Sequence, residues 1–171
     1  MADNAVRRLY LTTVTFQDST GTVTFTLQNL AGGAGRRSAS NDFWIDADEA
    51  PDGYDVELDL TAGFETAPAL GDRVELYINE FGSESSAGVG TMDDGNADGA
   101  LSSTNKLTNL VPVLVLQADE AAADIPMAGR ARIEVASRHW GVVVMNRSAD
   151  NLQNTANTSI VRVYPWVFEV Q

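Results

Sequence analysis

Apolar residues recur at every second position along most of this chain, and that period leaves few folds open. Val23, Phe25 and Leu27 alternate with Thr22, Thr24 and Thr26. Tyr54, Val56, Leu58 and Leu60 alternate with Asp55, Glu57 and Asp59. The stretch Arg73-Val74-Glu75-Leu76-Tyr77-Ile78-Asn79 repeats the pattern, as does Ala131-Arg132-Ile133-Glu134-Val135. Side chains two residues apart share one face of a strand, so each run predicts a strand with one dry and one wet face. Helical spacing is almost missing. Residues 118–124 read as the one helical turn, ended by Pro126.

The order of the runs predicts their connections. Leu9 to Phe16 and Thr22 to Leu27 flank a turn at Gln17-Asp18-Ser19-Thr20-Gly21, which reads as a hairpin. Val111-Pro112-Val113-Leu114-Val115-Leu116 is a continuous apolar run and predicts a strand buried on both faces, with Pro112 at its start or at an edge. Near the end, Gly141 to Arg147 and Ser159 to Gln171 bracket a loop of Asn, Thr, Ser and Ala. In all, about eight to ten short strands with turn signals between them predict an all-β, antiparallel sandwich. The strand count and the long loops favour a jelly roll over an immunoglobulin-like arrangement. No linker divides the chain, so residues 9–171 read as one domain behind an N-terminal arm, 1–8.

Composition removes several function classes. The chain has 171 residues and no Cys, which excludes disulfides, thiolate metal sites and cysteine nucleophiles. The formal net charge is −13, and such a surface repels nucleic-acid phosphates. No apolar stretch approaches the roughly 20 residues that span a membrane, and residues 1–8 lack the apolar core of a secretory signal.

Catalytic signatures are few. The single His, His139, sits in Ser137-Arg138-His139-Trp140-Gly141 without a nucleophile elbow or phosphate loop elsewhere. It reads as a packed or surface residue, and the expectation is a protein that is not an enzyme. The 24 acidic residues make chance carboxylate pairs inevitable, so a glycosidase pair has no specific signal.

One loop has ligand spacing. Asp94-Gly95-Asn96-Ala97-Asp98-Gly99 matches the calcium pattern D-x-[DN]-x-[DN]-G, with Asp94, Asn96 and Asp98 as candidate oxygen ligands. The twelfth position is Asn105 and not Glu, and neither flank is helical, so this is no helix-loop-helix site. An acidic, Gly-rich surface turn is the plainer reading, and no cofactor is expected. Asn146-Arg147-Ser148 and Asn157-Thr158-Ser159 match the glycosylation pattern by chance.

Candidate partner contacts are Arg7 and Arg8 on the arm, and Arg36 and Arg37 in the Gly-rich segment 31–41. The arm and the loops 31–41 and 82–104 have little apolar content to anchor them. Tyr164, Trp166 and Phe168 share one face of the last strand and suit a core or a subunit interface.

The closing segment, Val142-Val143-Val144-Met145-Asn146-Arg147-Ser148 through Asn157-Thr158-Ser159-Ile160-Val161-Arg162-Val163-Tyr164-Pro165, resembles a pattern in structural proteins of tailed bacteriophages. Gly71-Asp72-Arg73-Val74-Glu75-Leu76-Tyr77-Ile78 is similar to a strand that precedes it there. The proteins it resembles are jelly-roll virion components of the capsid decoration or cement type. The resemblance implies a virion protein, made in the host cytoplasm, that sits on the capsid exterior and binds the major capsid protein. It further implies a homo-oligomer, a trimer by preference, seated over subunit junctions. A carbohydrate- or receptor-binding jelly-roll module of a tail fibre is the alternative.

Overall fold

The computed structural model describes residues 6–10, 12–18, 20–39, 41–42, 54–81, 97–135 and 139–170. In chain order the strands are β1 (Val6–Tyr10), β2 (Val14–Gln17), β3 (Val23–Thr24), β4 (Gly35–Arg37), β5 (Asn41–Asp42), β6 (Tyr54–Ala62), β7 (Arg73–Phe81), β8 (Gly99–Ala100), β9 (Val111–Gln117), β10 (Met127–Val135), β11 (His139–Asn146) and β12 (Ile160–Val170). A short 3-10 helix, Thr104–Asn109, lies between β8 and β9.

Two sheets result. One runs β10-β6-β12-β2-β3, with β1 also on β12; the other runs β8-β4-β11-β7-β9, with β5 also on β11. Two of the long strands are interrupted. β1 and β2 lie in line along β12, but Tyr10 pairs with Trp166 while Val14 pairs with Val163, so the register slips by one residue between them. β4 and β5 likewise lie in line along β11. Ser38 bridges that second break. Its N–H donates to Val142 O at 2.8 Å, and its buried Oγ accepts from Val142 N–H at 2.9 Å. A side chain thus completes the ladder where the extra residue opens it.

Counting each interrupted pair as one strand and leaving out the two-residue strands β3 and β8, the first, eighth, third and sixth strands form one sheet. The second, seventh, fourth and fifth form the other. That wrapping is a jelly roll, as the sequence predicts.

The core fills the space between the sheets. Phe16, Leu60, Val161 and Val163 come from one sheet; Val74, Leu76, Ile78, Trp140, Val142 and Val144 come from the other. The rings of Phe16 and Trp140 meet across it at 6.1 Å between centroids. Their packing explains why the alternating runs face as they do: every second residue loses its water to the opposite sheet.

Four expectations need correction. Val6–Tyr10 is a strand paired with Trp166–Val170, so Arg7 and Arg8 occupy sheet positions opposite Glu169 and Phe168, and the arm of 1–8 does not hold as a unit. The expected hairpin is not formed either. β3 runs parallel to β2, because the chain turns inward and buries Phe25 and Leu27 in the core. β9 is not buried on both faces: it ends its sheet, with Val111 and Val115 about half exposed. Finally, residues 118–124 contain no helical turn, and the 3-10 helix falls at Thr104–Asn109 instead. The run Phe43-Trp44-Ile45 and the loop residues 82–96 lie outside the described residues.

Candidate interaction surface

The two outer faces of the sandwich differ in kind. On β11, Val142 and Val144 enter the main core, so Val143 and Met145 turn outward. They do not reach water. Leu107 and Leu110, carried by the 3-10 helix, close over them with Leu101 and Tyr77 alongside. Ser103 caps that helix by accepting the Asn105 N–H at 3.2 Å. The chain thereby seals much of this face with its own residues.

Beside this second core sits Glu75, nearly buried. Its Oε2 accepts from the Tyr77 hydroxyl at 2.6 Å and from Arg147 Nε at 2.8 Å, and Arg73 Nε lies 2.9 Å from Oε1. Burial pushes the Glu75 carboxyl up, but Tyr77, Arg147 and Arg73 together hold it below its ordinary range. Burial and the neighbouring carboxylate in turn push the Tyr77 hydroxyl up.

The other sheet turns a polar lattice outward. Leu60, Val161 and Val163 are core residues, so their neighbours Asp59, Arg162 and Tyr164 face away from it. Cross-strand pairing sets Arg130, Asp59, Arg162 and Thr15 in one row, and Arg132, Glu57 and Tyr164 in the next. Arg130 donates to both Asp59 oxygens, at 2.5 and 2.8 Å, and its Nη1 lies 3.7 Å from Glu57. Arg130 holds the Asp59 carboxyl below its usual range. Its guanidinium also lies 5.6 Å from the Tyr164 ring centroid. Two residues further along the same strands, the Arg132 guanidinium stands 4.3 Å over the ring of Trp166, which is fully buried beneath it. This face is charged, with Tyr164 half-buried among the ion pairs, and Arg130 at its centre is exposed.

The sequence-derived candidates are distributed as follows. Asp94 and Asn96 lie outside the described residues. Asp98 is engaged: Arg36 donates to its two oxygens at 2.8 and 2.6 Å, and Thr26 adds its hydroxyl at 2.8 Å. Burial pushes the Asp98 carboxyl up, yet Arg36 and Thr26 hold it below its ordinary value. Arg36 therefore serves an internal ion pair, which ties the end of the loop 82–104 to β4 and Thr26. Arg37 donates from Nη1 to Ala100 O at 2.9 Å. Arg7 and Arg8 are placed by backbone register on β1. His139 pairs in register with Phe81 and Asp42 on either side of β11. Among the described residues no group of three or more His, Asp or Glu side chains is placed to hold a metal ion.

The Asn146-Arg147-Ser148 stretch has a structural role. Asn146 is fully buried. Its amide donates to Leu30 O at 3.1 Å and Asp150 O at 2.7 Å, and its Oδ1 accepts from the N–H and hydroxyl of Ser148. A residue so enclosed has no room for a glycan. Arg147 sends its N–H to Arg73 O and its guanidinium to Glu75. The short motif thus locks the end of β11 to β7 and to the loop at Leu30. Sequence reading singled it out but gave it no role. In the sequence Glu75 is one polar position in an alternating strand; its neighbours Tyr77 and Arg73 are visible there, but Arg147 is 72 residues away.

No protein-family model matches the chain, and no curated protein sequence is significantly similar to it. Among solved structures it is similar to one titled "Structure of Eiger TNF from S. frugiperda", at 9% identity, a TM-score of 0.43 and 91% coverage of both chains.

Proposed function

We propose that this chain is a virion structural protein of the capsid decoration type, which binds the outside of a shell built from the major capsid protein and stabilises it. The observation that carries this reading is the contrast between the two outer faces. One is largely closed by the chain's own Leu101, Leu107 and Leu110, and the other presents the Arg130–Asp59 pair, Tyr164, and Arg132 over the buried Trp166. A rigid, two-layered scaffold with one face dressed for contact suits adhesion. Each copy contributes a modest interface, and many copies on one shell add up. The terminal β12, central in its sheet, supports the same reading, because load on the lattice is passed to both neighbouring strands.

The test is co-sedimentation of the purified chain with expanded capsids of the phage that encodes it. Binding that saturates at a fixed ratio to the shell protein supports the reading. Charge reversal at Arg130→Glu, on an exposed side chain, weakens that binding and leaves the fold intact. Glycan binding without capsid binding would replace it with the tail-fibre alternative.

A further inference from the structure

The sandwich has two long edge strands on the same side, and they are treated differently. β10 ends its sheet with Arg130, Arg132 and Glu134 along its length. Charges of this kind guard an edge against another strand. β9 ends the other sheet, and among the described residues it pairs with β7 alone. Its seven residues, Val-Pro-Val-Leu-Val-Leu-Gln, carry no charge in a chain of net charge −13.

All four large apolar side chains that are most exposed among the described residues lie on or beside this edge. Val111 and Val115 are 52% and 54% exposed on β9 itself. Leu70, 70% exposed, sits in the turn whose Gly71 N–H bonds to Ala118 O just past the strand. Ile125, 38% exposed, shares with Val115 a groove of about 560 Å³ between β9 and β10. Leu114 and Leu116 hold the strand down by closing on Gly129, where a Cβ would come within 2.7 Å of Leu116.

We propose that the β9 edge is a self-association surface, on which a second copy of this chain adds its own β9 antiparallel. Two features choose that occupant. An open ladder of backbone N–H and C=O groups is matched only by another extended strand. And two copies of so acidic a chain repel each other least where each is uncharged: β9 itself carries no charge, and Asp119 and Glu120 lie beyond its end. Pro112 cannot donate to a ladder, so the pairing occupies Val113–Gln117. Such a contact uses the same patch on both copies and closes at two. It differs from the three-fold arrangement that the sequence resemblance implies, and it does not depend on the capsid reading.

Sedimentation of the full chain across a range of concentrations tests it, with amide hydrogen exchange on the same samples. The expected result is a monomer–dimer equilibrium, with protection of residues 113–117 that rises with concentration. Val115→Lys, at an exposed position, raises the dimer dissociation constant at least tenfold, and Val115→Thr does not. A monomer at every concentration, a trimer by mass, unchanged dimerisation of Val115→Lys, or protection at 127–135 instead would each overturn it. Loss of capsid binding in a chain that still dimerises would count against the proposed function alone.

Discussion

Arg36 holds both carboxylate oxygens of Asp98, at 2.8 and 2.6 Å, across 62 residues of chain. The carboxylate that the calcium spacing offers is thereby already neutralised by a guanidinium. A cation would have to displace Arg36 and leave it half-buried without its partner. Thermal melts in calcium and in chelator are expected to coincide. Asp98→Ala is expected to lower stability by about 1–3 kcal/mol, measured by denaturant unfolding.

Asn146 makes four hydrogen bonds in a site without solvent access. Asn146→Ala removes one donor from each of the Leu30 and Asp150 carbonyls, which keep the Leu152 N–H and the Ser148 hydroxyl, and leaves the Ser148 N–H without its acceptor. The expected loss is about 2–4 kcal/mol, and a loss under 0.5 kcal/mol by the roughly additive scale of surface sites would contradict the network.

Among the described residues three carboxyls titrate low in the folded chain: Asp59, Glu75 and Asp98. Their ordinary values are 3.8 for Asp and 4.5 for Glu. As pH falls through that range the unfolded chain takes up protons before the folded one, so protonation favours unfolding. The contribution of each group is complete above its ordinary value and is lost as pH falls through its folded value. Protonation also relieves repulsion among the 24 acidic residues, which acts in the opposite sense. The clean readout is therefore the gap in melting temperature between wild type and Glu75→Gln. It is expected to be widest above about pH 5 and to narrow as pH falls, because a protonated Glu75 resembles Gln. A gap independent of pH would refute the assignment.

Trp166 is fully buried under Arg132. Trp166→Ala is expected to destabilise the fold by about 3–5 kcal/mol, and Arg132→Ala by about 1 kcal/mol. Equilibrium unfolding of the two variants checks the order, and a Trp166→Ala loss no greater than that of Arg132→Ala would contradict it.

Deleting residues 1–8 removes three of the five paired positions of β1 and uncovers the end of β12. The truncated chain is expected to melt lower by about 5 °C or more. An unchanged melting temperature would return these residues to the role of a loose arm.

Alternation made the strands legible. Glu57, Asp59 and Glu75 sit where period two puts polar residues, and Leu60, Val74 and Leu76 sit in the core. Errors arose where a residue's neighbour decides its role. Val111 to Leu116 is apolar enough for a central strand, yet nothing local says that among the described residues it ends its sheet. Val23, Phe25 and Leu27 alternate like a hairpin arm, but the core claims Phe25 and Leu27 before a hairpin forms. Asp98 has the spacing of a ligand, and its partner Arg36 is distant in sequence.

Periodicity by itself settled that this chain is all-β, two-layered and short of helix, because a two-residue repeat of apolar side chains can be buried only by strands facing another layer. It also set the charge of the surface. The tertiary structure alone decided which strands became edges, which carboxylates met an arginine, and which face stayed open. Those outcomes depend on contacts between residues far apart in the chain, and no local pattern encodes them.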